Sequence, residues 1–360
     1  MKKFILIHII FLFLFLFLLN CSKPIVNLKG DKIMIEPDNP NINYYGRIDF
    51  SNPKEPRFDW PGIAIEANFE GTSISIVLDD KENNYNVFID GIFHKIIETK
   101  KGMHTYEIAN DLKNKPHTIL ITKRTEGGYG IAKFLGFILD KDKNLLPPPK
   151  RPKYKIEFIG DSLTCGYGNE GTSKQCSEAD LRATENNYLA FGPMVSRKLN
   201  AEYNIVAISG KGMVRNYGDK EKSSKDPLPS FYEYTLQNDK TKKWDFKKWI
   251  PDVVVINLGS NDFSTEPLAD KKNYTETYIN FIKKIKNYYP DAKIFCACGP
   301  FVLDILEPLV KEVCNLEKVN FVKLPELTVE EKNGCNWHPT VKGHEKMAKP
   351  ILKELKKILK

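Results

Sequence analysis

Leu146-Pro147-Pro148-Pro149-Lys150-Arg151-Pro152 divides this 360-residue chain into two textures. Proline at that density holds φ near its ring-fixed value and favours an extended polyproline II segment of ~3.1 Å per residue, a semi-rigid joint between domains. N-terminal to it, Ile63, Ile65, Ala67 and Phe69 alternate with Ala64, Glu66 and Asn68. Ile74, Ile76 and Leu78 repeat the pattern, as do residues 118–122 and 133–139. A period of two over four to eight residues predicts half-buried strands. Asp90-Gly91, between Tyr85–Ile89 and Ile92–Glu98, predicts a hairpin. Seven or eight such strands without a convincing helix predict a jelly-roll-like β-sandwich over residues 28–145. C-terminal to the joint, Lys155–Ile159, Asn204–Ile208, Val253–Leu258, Lys293–Ala297 and Val319–Leu324 are short, apolar and rich in β-branched residues. Helix-like segments Tyr188–Leu199, Asn273–Tyr289, Leu303–Leu316 and Val341–Leu359 fall between or after them. This predicts a three-layer α/β/α domain over 153–360, with a five-stranded parallel sheet.

The composition excludes several classes. A hydrophobic fraction of 41% with 28% charged residues is that of a globular protein, not of a disordered, collagen-like or multi-span membrane chain. The net charge is +8, or +6 without Lys2 and Lys3, and at this length that surplus makes no footprint for nucleic acid. Met1-Lys2-Lys3 followed by an apolar run from Phe4 to Leu19, broken only by His8, has the form of a signal peptide and is shorter than the ~20 residues of a spanning helix. Leu18-Leu19-Asn20-Cys21-Ser22 resembles a bacterial lipoprotein processing box, with Asn20 where a small residue is usual. The expectation is a leader over 1–20, an exported mature chain and lipidation of Cys21, the only membrane attachment foreseen. Cys165, Cys176, Cys296, Cys298, Cys314 and Cys335 remain; six cysteines allow 15 full pairings and the sequence selects none. Cys296 and Cys298, in an apolar strand, read as buried thiols, and no Cys and His spacing makes a zinc site.

In a parallel sheet ligands gather at the carboxyl ends of the strands. Those ends read Gly160-Asp161-Ser162-Leu163, Ser209-Gly210-Lys211-Gly212 and Gly259-Ser260-Asn261-Asp262, with Gly334-Cys335-Asn336-Trp337-His338-Pro339 after the fifth strand. Each fragment alone reads as turn chemistry. Together, in one domain, they hold what nucleophilic hydrolysis needs. A serine hydroxyl attacks only when a base takes its proton. Past the joint there are two histidines, and His338, in a glycine-containing loop, suits that role better than His344 in the final helix. The Ser162 and Gly210 N–H groups and the Asn261 amide are the donors expected for an oxyanion. No metal or cofactor enters this scheme. Trp337, Tyr167 and Trp60 are candidates for stacking on a sugar ring, with core or rim packing the alternative for each. Residues 220–248, rich in Lys, Ser and Asp, read as a solvated loop helping to wall the cleft.

These blocks resemble the SGNH (GDSL) hydrolase superfamily. Phe158–Gly168 and Ser209–Gly212, with Arg57–Gly62 and Lys123–Glu126 in the first domain, are more similar still to carbohydrate esterase family 2. That resemblance covers about residues 45 to 355 and implies a serine esterase acting on acetylated carbohydrate such as xylan or glucomannan. It departs at one place: the superfamily's Asp, three residues before the histidine, is here Cys335. Family members lacking this Asp orient the histidine through a main-chain carbonyl, so a Ser162–His338 dyad is expected. The alternatives are a short-chain acyl lipid esterase or thioesterase, and a surface carbohydrate-binding protein with a relict site.

Overall fold

The computed structural model describes residues 32–359, so the leader and Cys21 lie outside the described residues. The N-terminal strands are β1 (Lys32–Ile35), β2 (Ile42–Tyr45), β3 (Arg57–Phe58), β4 (Ala64–Gly71), β5 (Ile74–Asp80), β6 (Asn84–Ile89), β7 (Ile92–Glu98), β8 (Gly102–Ala109), β9 (Lys115–Lys123), β10 (Ala132–Asp140) and β11 (Leu145–Leu146). They form two antiparallel sheets, ordered β1-β10-β5-β8 with β3 on β10, and β11-β4-β9-β6-β7 with β2 on β4. The period-two residues point between the sheets, where Phe58, Phe69, Ile76, Ile119 and Phe134 are wholly buried. The sandwich was legible in that alternation. Its last strand runs to Leu146, and the proline joint starts behind it, tied along the sandwich by Asn68 Nδ2 to Pro147 O and Asn43 Nδ2 to Pro149 O, each 2.8 Å.

The second domain contains β12 (Tyr154–Gly160), α1 (Ser162–Cys165), α2 (Glu178–Thr184), α3 (Phe191–Lys198), β13 (Ala201–Ala207), β14 (Val253–Asn257), α4 (Lys271–Tyr288), β15 (Lys293–Cys298), α5 (Leu303–Glu317), β16 (Asn320–Lys323) and α6 (Val341–Ile358). The five strands are parallel, ordered β13-β12-β14-β15-β16. Every residue of β14 is buried, as expected of a sheet covered on both faces. Ile156 and Phe158 of β12 face α3 and α6, while Ile159 faces the core that α4 and α5 close. The chain passes from β12 to β13 on one side and then crosses to β14 on the other, and the crevice this opens at the strand carboxyl ends holds the site.

Three expectations are corrected. Helix α2 was missed: it has a capping box between Ser177 and Asp180 but buries no side chain, so no apolar period marks it. Residues 220–248 are only in part a solvated loop. Leu228, Tyr232 and Leu236 are wholly buried, and the segment lies against the sandwich. Trp60 is 0% exposed and donates from Nε1 to Thr235 O at 3.0 Å, so it is an anchor for that segment and no part of a cleft. Beside it the Asp59 carboxylate accepts from Gln237 N and Asn238 N. Arg47 forms an ion pair of 3.0 Å with Glu157 on β12, both side chains fully buried, and Tyr232 donates its hydroxyl to the same carboxylate. The domains are therefore joined by a polar, desolvated interface as well as by the joint.

Candidate active site

Gly160 closes β12 where a Cβ would sit 1.9 Å from Thr164 Oγ1, so the chain can turn only without a side chain. Asp161 then caps α1, its carboxylate accepting from Leu163 N at 3.0 Å. This puts Ser162 at the first position of a helical turn, with its hydroxyl facing the crevice. Ser162 Oγ lies 2.8 Å from His338 Nε2. His338 Nδ1 is 3.1 Å from both Cys335 O and Asn336 O. An Nδ1–H given to main-chain acceptors leaves the Nε2 lone pair free for the serine proton. Burial pushes the His338 imidazole down to about 4, against the two carbonyls that raise it, so the ring is neutral at physiological pH and its Nε2 is able to accept a proton. His344 is fully buried and accepts from Phe191 N, away from the serine.

The carbonyls reach Nδ1 because the turn before the histidine is left-handed at two consecutive non-glycine residues, Asn336 (φ +51°) and Trp337 (φ +64°). Such a conformation persists only where its surroundings enforce it. A disulfide from Cys335 to Cys176, just ahead of α2, does so here, and the turn seats on Gly168, where a Cβ would meet Cys335 Cβ at 2.3 Å. This pairing was not readable among the 15. The other described cysteines, Cys165, Cys296, Cys298 and Cys314, are buried free thiols.

Opposite the histidine, Gly210 has φ +77°. Among the described residues no acceptor takes its N–H or that of Ser162, leaving both available to a ligand. The Asn261 side chain lines the same cleft, its amide donating to Lys211 O at 2.8 Å and to Asp161 Oδ2 at 3.4 Å. Asp262 next to it holds the loop after Gly210 by accepting from Met213 N, Val214 N and Arg215 N at 2.7–2.8 Å. Burial raises Asp161 to about 7 and Asp262 to about 6. Sequence reasoning assigned Asp262 no role; a short-looped carboxylate beside Asn261 was the available signal.

These groups line a cleft of about 700 Å³. Trp337 stands 59% exposed at its rim with the Lys174 ammonium 3.7 Å from its ring centre. Tyr167 lies on the His338 ring at 4.4 Å and accepts at its hydroxyl from Asn336 Nδ2. Among the described residues one buried cluster behind the cleft, Glu126, Cys165 and Glu185, has metal-like spacing, but the buried Lys123 ammonium already supplies the opposing charge.

A parallel α/β/α sheet with a serine in contact with a histidine at the strand ends defines a serine carboxylic ester hydrolase of the SGNH type. Residues 158–346 match the GDSL-like lipase/acylhydrolase family, and residues 44–149 match the carbohydrate esterase 2 N-terminal domain. The chain belongs to carbohydrate esterase family 2. It is similar to an acetylxylan esterase / glucomannan deacetylase of Cellvibrio japonicus, 31% identical over 347 residues, covering 93% of this chain and 91% of the relative. It is 40% identical over 333 residues to the cellulase/esterase CelE of Acetivibrio thermocellus; that match takes in 89% of this chain but spans only 40% of the relative's length. The solved family two carbohydrate esterase from Clostridium thermocellum in complex with cellohexaose is 39% identical, with a TM-score of 0.83 over 88% of this chain and 99% of that one.

Proposed function

We propose that the protein removes O-acetyl groups from acetylated polysaccharides or oligosaccharides of the xylan and glucomannan type. The observation that carries this is the 2.8 Å contact of Ser162 Oγ with a His338 whose Nδ1 is held by two carbonyls. His338 takes the hydroxyl proton as Ser162 attacks the acetyl carbonyl carbon. The Ser162 and Gly210 N–H groups and the Asn261 amide receive the oxyanion, a term worth 10²–10³ in rate for each donor. The tetrahedral intermediate collapses with loss of the sugar alkoxide, protonated by His338, and water then releases acetate from acetyl-Ser162 by the same route. Trp337 at the rim offers a face to a pyranose ring, and Tyr167 keeps the imidazole in plane. The relatives' activities and the cellohexaose held by a similar structure support a glycan substrate.

Acetate release from acetylated xylan and glucomannan, set against hydrolysis of acyl esters of increasing chain length, tests this. Release from the polymers that is lost in Ser162→Ala is the expected result. Preference for longer acyl chains favours a lipid esterase or thioesterase, and binding without turnover favours a carbohydrate-binding protein. The same proposal places the enzyme outside the cytoplasm, anchored through Cys21; labelled fatty acid incorporated into the chain and lost in Cys21→Ser is the check.

A further inference from the structure

Beyond Lys123, the end of β9, the chain leaves the sandwich and enters the hydrolase domain as Arg124-Thr125-Glu126. Glu126 ends directly beneath the cleft, 8% exposed. Its Oε2 accepts the Ser209 N–H at 2.7 Å and receives the Cys165 thiol at 3.7 Å. Ser209 precedes Gly210, and Cys165 closes the helical turn that Ser162 opens. One carboxylate oxygen of the first domain thus holds the peptide N–H just before Gly210 directly and reaches the turn at Ser162 through the Cys165 side chain.

The turn that delivers it is firmly built. Lys123 Nζ, wholly buried, donates to the carbonyls of Asp59, Thr125 and Glu126. Glu126 N donates to Glu185 Oε1 at 3.1 Å, and the Arg124 guanidinium donates to Asn86 Oδ1 and Ala183 O. A carboxyl group is costly to bury and is kept where its oxygens are used.

We propose that Glu126 is a positioning residue for the oxyanion hole, so that the β-sandwich domain supplies part of the esterase machinery. It touches no substrate; it fixes the peptide before Gly210 relative to the turn at Ser162. A misplacement of about 1 Å in such a site costs about 10² in rate. Burial pushes the carboxyls of Glu126 and Glu185 up, and the positioning role asks only for an acceptor oxygen in that place, in either protonation state. The inference rests on Ser162 being the nucleophile.

The test measures kcat, KM and melting temperature on 4-nitrophenyl acetate for the full chain carrying Glu126→Gln or Glu126→Asp. Gln keeps the reach and drops the charge; Asp keeps the charge and falls one methylene short. The expected result is kcat lowered by about thirtyfold to a hundredfold in Glu126→Asp, at a KM changed by less than about twofold, with Glu126→Gln within about threefold of wild type. Loss in Gln equal to or greater than that in Asp, or normal kcat in both, overturns the inference. So does a fall in kcat that only tracks a fall in melting temperature. A wild-type protein without Ser162-dependent turnover overturns the functional reading and this inference together; a normal wild type with either adverse pattern overturns the inference alone.

Discussion

Ser162, Asn261 and His338, which line one cleft, were singled out in the sequence because acyl transfer asks for those residue types at strand ends. Trp60 was not legible, since a tryptophan suits a buried anchor as well as a sugar platform, and only the 0% exposure decides. At Asn261 the amide sits between Lys211 O and Asp161 in the cleft wall. Asn261→Ala should therefore lower kcat by about 10²–10³ with little change in KM, read by steady-state kinetics on an acetyl ester. The His338 pKa of about 4 predicts an unusual acid limb. The base is neutral above that value, so protonation of His338 should lower kcat/KM only as pH drops through about 4, and any change between about pH 8 and about pH 5 comes from Asp161 and Asp262. The His338 ring followed by NMR checks this: a midpoint near about 6.5, where an unperturbed imidazole titrates, would show that the ring is hydrated rather than buried.

The strands and long helices followed from periodicity, whereas the elements that aim His338 did not. The turn at Asn336 and Trp337 and the short helix α2 have no apolar period, and the bond from Cys176 to Cys335 links residues 159 apart in sequence. Cys335 occupies the position where the superfamily has its carboxylate, and here its carbonyl takes the Nδ1 proton while its sulfur ties down the turn. Cys176→Ser, or treatment with a dithiol, should lower stability by about 2–5 kcal/mol in denaturant unfolding. It should also lower kcat at unchanged KM, because a freed turn no longer holds the imidazole. Unchanged kcat with the disulfide demonstrably reduced would show that the turn holds itself.

Across the whole molecule, the proline joint lies between β11 and β12, where the sequence changes texture, but the contact between domains was not readable. It is made by residues 220–248, whose charged composition conceals Leu228, Tyr232 and Leu236, and by Arg47, a residue type expected at the surface. Arg47→Met leaves the Glu157 carboxylate buried beside Tyr232 without its cation and should cost about 3–5 kcal/mol in chemical denaturation. Adding Glu157→Met should recover most of that loss, since an apolar pair removes the unpaired charge. With Glu126 crossing the same interface, the sandwich is tied to catalysis as well as to folding. In the proposed reaction acetyl groups leave the glycan by way of Ser162. Mass spectrometry of enzyme quenched during turnover of an acetylated xylo-oligosaccharide should find one acetyl group on the peptide carrying Ser162; acetate released with that peptide unmodified would rule this route out.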